Sequence, residues 1–183
     1  MKIIAGTARG MNLVTPQGRH TRPTTGRIKE TLFNIIQADV PDSRFLDLYS
    51  GSGSIAIEAL SRGAREAVLV DNNKEALSCI NANLKKTHFH DRAKVMPLEV
   101  LHALKKLTVK GEAFGIIFMD PPYGRGFEKE ATGFLLNSNL VESGTLIIIE
   151  TSIDDDISYI EGFPCKMEKV KEYKTNKHIF LRI

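Results

Sequence analysis

From Phe45 onward the chain alternates short apolar runs with segments of helical spacing, and that order leaves few architectures open. Apolar runs over residues 45–49, 67–70, 94–96, 115–119 and 145–149 read as strands. Between them, residues 54–62, 74–86, 100–107 and 128–136 carry apolar side chains at helical spacing. The runs Gly115-Ile116-Ile117-Phe118-Met119 and Thr145-Leu146-Ile147-Ile148-Ile149 are apolar on both faces, as strands of a helix-covered parallel sheet must be. Repeated strand–helix order therefore predicts an α/β fold with a doubly wound, Rossmann-like sheet. Residues 167–173 and 178–183 are joined by only a few residues, so they can pair only as an antiparallel hairpin.

The first forty residues read differently. Residues 1–16 suggest a hairpin with Ile3 and Ile4 opposite Leu13 and Val14, followed by a basic loop over 17–25. Pro23 and Thr24 open a helical pattern through Ile28, Leu32, Ile35 and Ile36, which Pro41 ends. Residues 1–29 hold Lys2, Arg9, Arg19, Arg22, Arg27 and Lys29 with no acidic residue, a charge of +6, whereas the remainder carries −3. A basic arm over 1–40 on a near-neutral body over 41–183 suggests a phosphate-rich partner. Hydrophobic residues at 42% and charged residues at 26% exclude a disordered chain. Cys79 and Cys165 form no CxxC pair, no signal-like run opens the chain, and no apolar stretch reaches membrane-spanning length. A soluble, reduced, cytoplasmic protein is expected, without a metal and as a monomer. His20, His88, His90, His102 and His178 show no ligand spacing, and the Asp154–Asp156 run reads as a solvated loop.

Between the first strand and its helix lies Asp47-Leu48-Tyr49-Ser50-Gly51-Ser52-Gly53-Ser54-Ile55-Ala56. Gly51, Gly53 and Ala56 satisfy G-x-G-x-x-A, and Asp71 lies 20 residues beyond Gly51, where a carboxylate can accept both hydroxyls of a ribose. The loop thus fits an adenosine-containing ligand. Asp47 favours one kind. A pyrophosphate at the following helix N-terminus would be repelled by this carboxylate. S-adenosylmethionine bears a sulfonium and an ammonium and no phosphate, so it suits the site better than a nicotinamide cofactor. Asp47 could also cap the loop through the Gly51 or Gly53 amides.

The fourth strand ends in Asp120-Pro121-Pro122-Tyr123. The lone pair of an exocyclic base amine is delocalised into the ring, so the nitrogen is a poor nucleophile. The Asp120 carboxylate and the Pro121 carbonyl can each accept one N–H and turn the lone pair toward a methyl donor. Pro121 and Pro122 stiffen the turn by their fixed φ and missing amide hydrogens. Tyr123 offers a face for an extruded base, a stacking worth ~1–3 kcal/mol. This is catalysis by positioning and preorganised electrostatics.

With these motifs in place, the chain resembles S-adenosylmethionine-dependent methyltransferases and, more narrowly, the bacterial RsmD family, over essentially its whole length. The likeness runs through Ile4-Ala5-Gly6, Arg9-Gly10, Arg22-Pro23-Thr24-Thr25 and Lys29-Glu30-Thr31-Leu32-Phe33-Asn34. It continues through Leu46–Gly53, Glu58–Ala64 and Asp120–Tyr123. The resemblance implies a seven-stranded sheet with its last strand antiparallel and an N-terminal hairpin-plus-helix extension. It implies methyl transfer to the exocyclic N2 of a guanine in 16S ribosomal RNA, within an assembled or assembling small subunit. Asp47, Gly51 and Gly53 would contact the methionine half of the donor and Asp71 its ribose, with Tyr49, Asn72 and Val100 completing the cofactor set. Glu99 stands where the family places a shorter Asp or Asn beside the adenine, and Gly26 where it commonly has Asp.

Arg9, Arg19, Arg22, Arg27 and Lys29 are candidate phosphate contacts, and Arg125 could steer the backbone of a flipped nucleotide. Arg22 could equally dock the arm on a body carboxylate. The rival readings are an adenine-N6 methyltransferase on DNA or RNA, a release-factor glutamine methyltransferase, and a catalytically silent RNA-binding assembly factor.

Overall fold

The computed structural model describes residues 1–16 and 26–183. The elements run α1 Gly26–Ile35, β1 Arg44–Leu48, α2 Ser54–Ser61, β2 Glu66–Asp71, α3 Lys74–Thr87, β3 Ala93–Pro97 and α4 Val100–Thr108. There follow β4 Ile116–Met119, α5 Phe127–Leu136, β5 Leu146–Ser152, β6 Lys166–Glu172 and β7 Asn176–Arg182. The seven strands form one sheet in the order β3-β2-β1-β4-β5-β7-β6. Only β7 runs against its neighbours, as expected for the closing hairpin.

The two-residue period of the strands divides the core. Phe45, Leu69, Ile116 and Ile148 face a layer built from α1, α2 and α3. Leu46, Val70, Ile117 and Ile149 face α4, α5 and a short 3-10 turn at Ser158–Gly162. The chain steps outward from β1 to β3 and then returns to lay β4 on the other flank of β1. The strand order therefore reverses between β1 and β4, and a crevice opens beyond their carboxyl ends.

The N-terminal segment pairs as the expected hairpin, with Ile3 opposite Met11 rather than Leu13 or Val14. The Ile3 and Leu13 amides donate to the Met11 and Met1 carbonyls and the Gly10 amide to that of Ile3, while the Ile4 and Ala5 amides donate to Glu58 of α2 at 2.9 and 3.0 Å. Gly6 makes this approach possible, since a Cβ there would lie 1.8 Å from the Ser61 carbonyl oxygen. Ile3, Leu13, Leu32, Phe33 and Ile36 join the same core as α2 and α3, so the described parts of this region, 1–16 and 26–40, pack into the body. The expected opening of α1 at Pro23 and Thr24 lies outside the described residues.

Lys29 corrects the sequence reading. It is fully buried, donates to the Lys2 carbonyl at 2.9 Å and pairs with Glu58 at 3.0 Å. A cation held there cannot reach an external phosphate. Its charge joins the N-terminal segment to α2.

Candidate active site

The glycine loop is built by its own backbone needs. Gly51 and Gly53 take left-handed φ values of 56° and 75°. A Cβ on Gly53 would press to 2.9 Å from Leu69 Cδ2 and 3.3 Å from Ile80 Cγ1. Tyr49 is also left-handed, at φ 63°, which a bulky residue adopts only under constraint and typically near functional surfaces. Asp71 closes the loop from below: its carboxylate accepts the Gly51 amide at 2.8 Å and the Asn73 amide at 2.8 Å. A carboxylate has about four acceptor positions, so two remain for a diol. The buried Asn83 of α3 donates to the Ser52 and Val14 carbonyls, linking the loop to the N-terminal segment.

Asp47 is almost wholly buried and accepts the Ala56 amide at 3.2 Å. It caps the first turn of α2 through that amide, rather than through those of Gly51 or Gly53. Burial, opposed by the Ala56 bond and reinforced by Asp71, pushes its carboxyl up to about 8. Asp120 stands in the same field. Burial first, then Glu150 and Asp47, hold its carboxyl well above the usual carboxylate range. Register explains the proximity. Leu48 pairs with Val70 and Met119, and Met119 with Ile149, so Asp71, Asp120 and Glu150 each stand one residue beyond a shared row.

Among the described residues, no basic side chain forms an ion pair with Asp47 or Asp120, and no hydrogen bond ends on the Asp120 carboxylate or the Pro121 carbonyl. These acceptors stay available to a ligand. Tyr123 directs its hydroxyl to Glu150 Oε1 at 3.2 Å, so its ring is tethered at the far end.

A cleft of about 370 Å³ opens beside this row, lined by Tyr49, Asp71, Asn72, Glu99, Val100, Pro122 and Arg125 among others. Seven residues singled out from sequence thus share one wall. Phe127 and Glu130 of α5, Leu101 of α4 and Leu98 just before it also line it, and sequence reasoning passed over them. Phe127 stacks on Tyr49, with ring centres 6.3 Å apart and planes inclined by 21°. The one available signal was its place just after a Gly124-Arg125-Gly126 turn, where a helix begins at the cleft mouth.

The basic candidates scatter. Arg125 lines the cleft, whereas Arg27 is exposed on the first turn of α1. Arg9 is exposed next to Ala8, whose amide donates to Ser61 Oγ at the far end of α2, about 12 Å along the helix from the glycine loop. Arg19 and Arg22 lie outside the described residues. Asp155 and Asp156 are not merely solvated, since Asp155 accepts from Thr151 and Ser152 and Asp156 from Ser158.

The chemistry this wall admits is narrow. The wall's acidic residues, Asp71, Glu99 and Glu130, outnumber the single Arg125, which favours a cationic ligand over a phosphate, and Asp71 offers acceptors to a sugar diol.

Comparison with known proteins places the chain among relatives of known name. The family described as "Conserved hypothetical protein 95" matches residues 1–182. The "Ribosomal RNA small subunit methyltransferase D" of Escherichia coli (strain K12) is 33% identical over 157 residues, covering 86% of this chain and 77% of that protein. The protein of the same name in Haemophilus influenzae is 32% identical over 170 residues, covering 92% and 88%. Among solved structures, a hypothetical protein of Thermus thermophilus superposes with a TM-score of 0.85 at 32% identity, covering 100% of this chain and 99% of that one.

Proposed function

The chain belongs to the family described as Conserved hypothetical protein 95, and from that premise we propose that it transfers a methyl group from S-adenosylmethionine to the exocyclic N2 amine of a guanine in small-subunit (16S) ribosomal RNA. The RsmD likeness carried by its motifs is borne out by that family match and by relatives named ribosomal RNA small subunit methyltransferase D. One observation carries the reading furthest. The Asp120 carboxylate and the Pro121 carbonyl accept no hydrogen bond among the described residues, and Pro122 of the same turn lines a cleft that carries Asp71, Glu99 and Glu130.

S-adenosylmethionine, when bound, supplies an electrophilic methyl group on a sulfonium. The residues that would hold it fit that charge and shape. Asp47 faces the cationic half, Gly51 and Gly53 allow close backbone approach, and Asp71 accepts from the ribose. Asn72, Glu99 and Val100 flank the adenine end, and Tyr49, braced by Phe127, walls the cleft. Asp120 and the Pro121 carbonyl receive the two amine hydrogens, so the nitrogen lone pair points into the cleft. Asp120 then takes the proton that the amine must shed, for which its elevated proton affinity equips it. Pro122 and Tyr123 bracket the extruded base, while Arg125 steers its phosphate. Residues 1–40 serve as the RNA-binding arm through Arg9, Arg19, Arg22 and Arg27. No helix among the described residues is long and apolar enough to cross a membrane, and we place the protein in the cytoplasm as a monomer acting on an assembled or assembling subunit.

Purified protein, labelled S-adenosylmethionine and small subunits from a strain lacking the gene will yield label at N2 of one guanine. Label at adenine N6, or none, overturns the reading.

Asp47 adds a pH signature. A carboxyl whose folded value is about 8 against an ordinary 3.8 holds its proton at neutrality, so donor-free stability falls as pH rises across that interval. Binding a cation requires the ionised form. Donor affinity will therefore climb with pH by up to about tenfold per unit below 8 and level off above it, with proton release below that point. Calorimetric titration in buffers of differing ionisation heat measures both, and a flat profile from about pH 6.5 to about pH 9, across the transition, refutes the assignment.

A further inference from the structure

Strand β5 is built of Leu146, Ile147, Ile148 and Ile149, and then places a buried carboxylate at Glu150. A buried charge costs several kcal/mol of desolvation, and an apolar residue of similar size commonly packs there as well or better. Glu150 is nonetheless tightly built in. Its Oε1 accepts the Asn176 amide at 2.7 Å and the Tyr123 hydroxyl at 3.2 Å, and its Oε2 meets His178 Nε2 at 2.9 Å. His178, fully buried, contacts the Tyr173 hydroxyl through Nδ1 at 3.4 Å and is boxed by the Phe118 and Phe180 rings. Two adjacent strands thus hold one carboxylate in one orientation, directly beside the turn that carries Asp120.

We propose that Glu150 is a positioning residue for methyl transfer, which anchors the Tyr123 ring through its hydroxyl and sets the charge against which the Asp120 carboxylate works. This inference rests on the role given above to the Asp120–Tyr123 turn. The step itself balances simply. The N–CH₃ bond forms as the S–CH₃ bond breaks, the amine proton passes to an Asp120 oxygen, and Glu150 is unchanged throughout. A negative neighbour makes Asp120 a better proton acceptor, and a fixed tyrosine keeps the base plane aligned with the donor.

The groups facing these carboxylates define what the charge can be. Asp120 faces Glu150 from β5 and Asp47 from β1. Glu150 faces Asn176 and His178 from β7, the Tyr123 hydroxyl and, beyond His178, Tyr173. Lys171 pairs with His178 along β6, and Lys177 is committed to the Ile153 and Asp155 carbonyls. Burial first and Glu150 next raise Asp120, so removing the charge must lower it.

The test uses the full chain with ¹³C-labelled aspartate and follows the Asp120 carboxyl signal by NMR titration, assigned by its loss in Asp120→Asn. In Glu150→Gln that signal will titrate at least ~0.5 pH unit lower than in the wild type, whereas Glu150→Asp will stay close to it. In Tyr123→Phe it will not move. With small subunits as substrate, Glu150→Gln will lower kcat about tenfold with the donor KM nearly unchanged and will shift the acid limb of its pH profile downward. Tyr123→Phe will lower kcat without shifting that limb. An Asp120 titration indifferent to Glu150→Gln overturns the inference whatever the activity. A wild type that fails to label guanine N2 overturns the substrate reading instead and leaves the titration result standing on its own.

Discussion

Replacing Asp120 by alanine will cut methyl transfer about 10²–10³-fold while leaving donor affinity close to that of the wild type. The acceptor it removes is the one ionisable side chain of the β4 turn assigned to orient the amine and receive its proton. The donor's sugar, by contrast, is assigned to Asp71 and its cationic half to Asp47, neither of which the substitution touches. Stability supplies a second readout with the opposite sign. Asp120 is held under burial and beside Glu150 and Asp47, all of which disfavour its ionised form. Deleting it relieves that conflict, so the variant will melt higher than the wild type at neutral pH, the gain growing as pH rises. Single-turnover transfer and thermal unfolding measured side by side check both halves. A variant that loses activity and stability together would make Asp120 a structural cap of the turn.

Glu58→Ala will be the most destabilising single change on the N-terminal face, at about 3–5 kcal/mol, or roughly 6–20 °C in Tm for a chain of this size. Glu58 is fully buried and collects four donors: the Ile4 and Ala5 amides, Lys29 Nζ at 3.0 Å and Arg62 Nε at 2.8 Å. Its loss strands two amides and leaves the Lys29 charge buried without a counter-ion. Lys29→Met will cost less, because Glu58 keeps Arg62 and both amides. Burial acts to raise the Glu58 carboxyl, but Lys29, the Ile4 amide and Arg62 together hold it below the ordinary 4.5. Its contribution is therefore complete above that ordinary value and is lost as pH falls through the lower folded one. The stability gap between wild type and Glu58→Ala, followed by urea unfolding, will narrow in acid. A gap independent of pH would show that Glu58 acts through packing alone.

How much of this was legible beforehand follows the range of the interactions. All seven sheet strands and the helices from α2 onward fall within a few residues of their sequence-based bounds, because periodicity and turn chemistry act over short stretches. The glycine loop, Asp71 and the β4 turn were found for the same reason, and parallel pairing then brings their ends together. The register of the hairpin over residues 1–16 was misread because the Ile4 and Ala5 amides are claimed by Glu58, more than fifty positions away. Phe127 and Glu130 were missed because their relevance depends on where α5 starts relative to the cleft, and no local pattern encodes that. The Glu150–His178 pair was invisible too, since it exists only through the register of two strands that meet antiparallel.

Sequence by itself determined the order of strands and helices and the two short turns that carry the candidate chemistry. Each depends on side-chain spacing or backbone freedom within a contiguous stretch. Tertiary structure alone decided which charges face outward. Lys29 and Arg27, two positions apart on one helix, end in opposite environments because α2 offers one of them a buried carboxylate and leaves the other to solvent. Burial is a property of what packs against a residue, and for a charged side chain that partner, rather than its neighbours in the chain, sets whether it binds a ligand or holds the fold.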